Sequence, residues 1–81
     1  MQNTIHLQRV DPHHNMQRFY TLSLEPTLFG DIALVRNWGR IGTRGQTKQH
    51  FFDEEMMAQS ALERLHVQKT RHGYCQLPSG N

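Results

Sequence analysis

The chain has 81 residues, a formal net charge of +2, 36 % hydrophobic residues and 20 % charged residues. That supports one domain with a modest core, is too apolar for a disordered chain, and leaves little room for a deep pocket. The N-terminus is mixed, no apolar run of about 18 residues exists, and the single cysteine rules out an intrachain disulfide, so a cytoplasmic protein without a membrane span is expected.

The elements follow from period and punctuation. Residues 4–10 (TIHLQRV) alternate and predict a short strand, at or near an edge. A turn around Pro12 and Asn15 follows. Residues 16–25 (MQRFYTLSLE) alternate cleanly, with Phe19 on one face and Tyr20, Leu22 and Leu24 on the other. Pro26 and Gly30 close that strand with a turn, and residues 32–38 (IALVRNW) form a more apolar, central strand. A glycine-rich connection leads to a strand ending in Phe51 and Phe52, whose side chains point to opposite faces. The period then changes to three and four: Ala58, Ala61, Leu62 and Leu65 make one stripe on a helix running to about Lys69. Asp53 is the expected N-cap, Glu54 and Glu55 suit the first turn, and Gly73 can supply a left-handed stop. Residues 74–77 (YCQL) predict a last short strand, and the final PSGN a frayed tail. The fold class expected is α+β: a small curled antiparallel sheet of four to five strands with one helix packed on one face, in a single domain spanning 1–81 with its core at about 4–77.

Charge is unevenly spread. Between Ile32 and Phe52 lie Arg36, Arg40, Arg44 and Lys48 and no acid; from Arg64 onward lie Arg64, Lys69 and Arg71 and again no acid. The two tracts, if adjacent in space, form a cationic face; if separate, they are ordinary solvated surface. The lone tryptophan, Trp38, sits inside the first tract, followed by Gly39 and Gly42. Two uses are open to it. An indole in so small a domain packs against the helix; alternatively, beside arginine forks and a backbone stripped of side chains, it offers a plane for a base or sugar with cations for the phosphate.

Other chemistry is poorly supported. His72 and Cys75 have ligand-like spacing, but no second pair completes a metal site, and no cofactor is expected. Cys75 has no orienting group, and the run Asp53–Glu55 is explained by a helix start. No acid, base and pocket assemble, so an enzyme is not expected.

The ordered segments RFYTLSL, LVRNWGRIGTRGQ and HFFDEEMMAQSALERLHVQKTRHGY, from about Arg18 to Tyr74, resemble the WGR domain. This module occurs in DNA-damage-activated poly(ADP-ribose) polymerases and in free-standing or fused bacterial copies. The resemblance implies a small antiparallel sheet with one helix, and binding of DNA near ends or breaks through the sugar-phosphate of a terminal nucleotide. Trp38, Gly39 and Arg40 match the name-giving triplet, Lys69 matches the lysine at the helix end, and Tyr74 falls where the family has Trp or Tyr. Trp38 and Arg40 are carried over as DNA contacts, with Lys69 second to them; the alternative the family offers for the arginine and lysine is contact between domains instead of with DNA. These 81 residues hold neither a transferase domain nor zinc fingers, so no transferase activity is expected of them.

The expectation is therefore a monomeric, non-enzymatic nucleic-acid-binding module that grips DNA ends or nicks without reading sequence. Its candidate residues are Trp38, Gly39, Arg40, Arg44 and Lys48, flanked by Arg36 and Lys69. The alternative is a protein-interaction or regulatory module using the same Trp/Arg surface, since both residue types are enriched at interface hot spots.

Overall fold

The computed structural model describes residues 4–78, with strands β1 (Thr4–Asp11), β2 (Met16–Pro26), β3 (Ile32–Arg40), β4 (Gln46–Phe52) and β5 (Cys75–Gln76), and helix α1 (Glu55–Arg71). The strands form one antiparallel sheet in the order β4-β3-β2-β1-β5. This is the α+β arrangement expected, with the helix on one face. Because β5 covers only Leu7 and Gln8, most of β1 remains an edge.

Each hairpin is set by local chemistry. Between β1 and β2, the Asp11 side chain accepts from the His13 N–H at 3.2 Å. Asn15 then takes the left-handed conformation, at φ 51°, which its short side chain tolerates. Between β2 and β3, the Thr27 N–H donates to the Asp31 carbonyl at 3.0 Å and the Thr27 hydroxyl donates to the Asp31 carboxylate.

Cross-strand register assigns the faces. One face carries Ile5, Leu7, Tyr20, Leu22, Leu24, Leu34 and Phe52, and α1 lies over it. Leu7, Leu22, Leu34 and Tyr20 are buried there with Leu62 of the helix, and Ala61 and Leu65 pack against that cluster. Ala58 is also buried, so the stripe read from the sequence is the stripe that packs. Phe52 turns into the core and Phe51 is exposed on the far face.

Two helix boundaries differ from expectation. Glu54, not Asp53, is the N-cap residue, and its side chain makes no capping hydrogen bond. At the other end α1 runs to Arg71, and His72 and Gly73 close it. Gly73 has φ 94°; its N–H donates to the Thr70 carbonyl at 3.1 Å, and the Tyr74 N–H donates to the Lys69 carbonyl at 3.1 Å. That pair of bonds is a Schellman motif, for which glycine is the residue of choice. The tail read as frayed falls largely at 79–81, outside the described residues.

Candidate nucleic-acid interface

The helix-side face becomes chemically distinct toward the start of β2. Because strands alternate, residues two apart share a face, and the antiparallel register sets them out in rows. Arg9, Arg18 and Arg40 lie directly opposite one another across β1, β2 and β3. The next row holds Leu7, Tyr20, Trp38 and Gln46, and the one after it Ile5, Leu22, Arg36 and Lys48. An aromatic row is thus bracketed by two cationic rows.

The aromatic row is tightly built. The Tyr20 and Trp38 rings stack with centroids 6.0 Å apart at 23°, and Tyr74 meets Tyr20 edge-on at 6.1 Å. The Arg36 guanidinium lies 5.2 Å from the Trp38 ring centre and the Lys69 ammonium 4.6 Å from that of Tyr20. Both distances are within cation–π range, worth about 0.5–2 kcal/mol each. The last turn of α1 sets Lys69 over the Tyr20 ring, and the Schellman motif returns Tyr74 to the same ring. Tyr20 is buried and Trp38 is half-buried at the edge of the core cluster, with Arg36 against it. Burial raises the Tyr20 pKa above its ordinary value; the positive charge of Arg36 opposes this and Tyr74 adds to it.

The cations are unneutralised. Directly opposed like charges destabilise a sheet, and this face has them at Arg9–Arg18, Arg18–Arg40 and Arg36–Lys48. Among the described residues the one ion pair is His14 with Asp11, at 2.8 Å in the β1–β2 turn. The Arg36 Nε is buried without a hydrogen-bond partner. A polyanion laid across these rows would relieve the repulsion.

The glycines have a different explanation from ligand access. The strand β3 continues through Gly39, so Trp38 and Arg40 do share a face. Gly39 looks to the other side, where a methyl group would come within 2.6 Å of the Gly45 Cα and 3.4 Å of the Phe19 ring. A methyl group on Gly45 would come within 2.2 Å of the Trp38 carbonyl oxygen and 2.7 Å of the Phe19 ring. The loop between β3 and β4 therefore folds onto its own strand under Phe19. Asn37 holds it there, donating to the Arg44 and Gln46 carbonyls at 3.2 and 2.9 Å and to the Thr47 hydroxyl at 3.0 Å.

The candidate residues from the sequence therefore divide. Trp38, Arg36, Arg40, Lys48 and Lys69 come together on the helix-side face. Gly39 supports the loop behind it. Arg44 sits in that loop and lines a hollow on the opposite face with Phe19, Thr21 and Asn37. Tyr20, Arg9, Arg18 and Tyr74 are not among the candidates from the sequence, Tyr74 being noted there only as a family match. The signal for them was parity: Arg9, Arg18 and Arg40 each lie two residues from a residue of the aromatic row, namely Leu7, Tyr20 and Trp38.

No helix among the described residues is long and apolar enough to cross a membrane. The chain is 48 % identical over 75 residues to the uncharacterized protein y4dW of Sinorhizobium fredii (strain NBRC 101917 / NGR234), a match covering 93 % of this chain and 37 % of that protein. The chain thus spans little more than a third of the length of the curated relative it matches. The family model described as WGR domain, a family known in nucleic-acid-binding modules, matches residues 3–81. With that match running over nearly all of its length, the chain belongs to the WGR domain family.

Proposed function

We propose that this chain is a non-enzymatic module that holds DNA at an end or nick, gripping sugar and phosphate without reading bases. The observation that carries this is the stacked Tyr20–Trp38 pair bracketed by unneutralised cationic rows. The half-buried indole edge packs against the terminal sugar or base, where stacking is worth roughly 1–3 kcal/mol. Arg18 and Arg40 on one side, and Arg36, Lys48 and Lys69 on the other, take phosphates. Phosphate contacts position a protein on DNA but carry no sequence information. Arg44 is left out of the grip.

Because Trp38 is the sole tryptophan, its emission reports this site alone. Titration with a short 5′-phosphorylated duplex is expected to quench it saturably. A closed circular duplex of the same base content is expected to bind more weakly, at the about 10⁻⁴–10⁻⁶ M of non-specific association. Trp38→Ala and Arg40→Ala are expected to weaken end binding, followed by anisotropy of a labelled duplex. Equal affinity for circular and linear DNA would remove the end-binding part of the proposal. An absence of binding to any DNA at low salt would remove all of it.

A further inference from the structure

A groove of about 540 Å³ opens between α1 and strands β3 and β4, next to the grip and sharing Arg36 with it. That size suits a small organic group. Its accessible floor is apolar, made by the half-buried Phe52, Ala61 and Leu65 over the buried Leu34. Its rim carries Arg36, Arg64, His50 and Gln68, and no acid lines it. The occupant this chemistry fits has a flat or apolar body and a negative charge. Arg36 fixes the location relative to the grip: its guanidinium lies 5.2 Å from the Trp38 ring centre, and the same side chain lines the groove. A strand whose terminal pair rests at Trp38 would reach the groove with its next nucleotide.

We propose that the groove takes the unpaired nucleotide of a single-stranded overhang. The base lies against Phe52, Ala61 and Leu65, the phosphate sits between Arg36 and Arg64, and the Gln68 amide and His50 imidazole face the base edge. The proposal rests on the DNA-end function above and names the class of end that the site prefers.

The test compares blunt duplexes with the same duplexes carrying one to three unpaired nucleotides on the 3′ or 5′ strand. The overhanging base is replaced by fluorescent 2-aminopurine. One polarity of overhang is expected to bind about ten-fold tighter than the blunt end, in line with one stacked base and one added phosphate contact. The 2-aminopurine emission is expected to change on binding. The surface substitutions Gln68→Ala and Arg64→Gln, combined, are expected to cancel the advantage while blunt-end affinity stays within about two-fold, because neither residue belongs to the grip. Equal affinity for blunt and overhanging ends would overturn the groove proposal and leave end binding standing. Failure of both to bind would overturn end binding and this proposal with it. A protein occupant would also overturn it, seen as amide shifts at Leu34, His50 and Leu65 caused by an acidic, leucine-rich peptide and not by an overhang.

Discussion

Gly39 and Gly45 are required by the chain's own packing. Two backbones approach with no room for a methyl group on either, and the Phe19 ring covers the contact. Gly42 shares a positive φ with Gly45, 96° against 72°, yet faces open space. Gly42→Ala is expected to cost about 1–2 kcal/mol from conformation alone. Gly45→Ala adds overlap with the Trp38 carbonyl and is expected to cost about 3 kcal/mol or more. Thermal denaturation checks the order, at roughly 4–8 °C in Tm per kcal/mol for a domain of this size. A similar tolerance at both positions would mean the loop does not close on its strand. Tyr20 supplies a second test. Its phenol is held neutral by burial, so its folded pKa is raised above the unfolded value near 10. The associated stability is fully present below pH 10 and is lost as pH rises through the folded value. Urea unfolding of Tyr20→Phe is expected to show a shallower alkaline decline than the parent chain; superimposable pH profiles would deny that Tyr20 is the source.

The helix end and the strand ends decide what the site contains. The Schellman closure at Gly73 returns the chain so that Tyr74 meets Tyr20 while Lys69 caps the same ring. A methyl group at Gly73 would sit at φ 94° and come within 3.2 Å of the Arg9 Nε. Gly73→Ala is therefore expected to remove hydrogen-exchange protection of the Tyr74 amide and to lower DNA affinity about three- to ten-fold, as Tyr74 loses its place against Tyr20. Unchanged protection would show that the closure does not need glycine. At this scale much of the fold was legible in the sequence. The alternation of β2 and the stripe Ala58, Ala61, Leu62, Leu65 lie within single segments, where period alone identifies them. The end of β3 was hidden because glycine usually interrupts a strand; here Gly39 stays in it to admit Gly45. The site was half legible. Trp38, Arg36 and Arg40 are neighbours in sequence, but Arg9 and Arg18 reach them only through cross-strand register, which no single segment contains. Arg44 shows the converse: it is close to Trp38 in sequence, yet the loop that Asn37 clamps carries it to the other face.

Across the whole molecule the charge is polarised along the strands. The arginine row occupies the end where β2 begins, where the acid is Asp11, paired with His14, while Glu25, Asp31, Asp53, Glu54 and Glu55 lie toward the end where β2 finishes and α1 starts. The hairpin tip at that second end carries Leu28 and Phe29, 98 % and 93 % exposed. A polyanion approaching such a molecule is steered to the cationic end, and acids at the far end oppose the reverse orientation. One face, not one stretch of sequence, makes the proposed grip. The most direct measurement is the salt dependence of end binding for Arg18→Ala and Arg44→Ala, with log Kd followed against log salt for a 5′-phosphorylated duplex. Arg18 is distant from Trp38 in sequence but in the cationic row, so its loss is expected to weaken binding and reduce the slope by about 0.9, one phosphate contact. Arg44→Ala is expected to leave affinity and slope within about two-fold and 0.2 of the parent values. A reduced slope for Arg44→Ala together with an unchanged one for Arg18→Ala would place the grip on the β3–β4 loop and not on the arginine row.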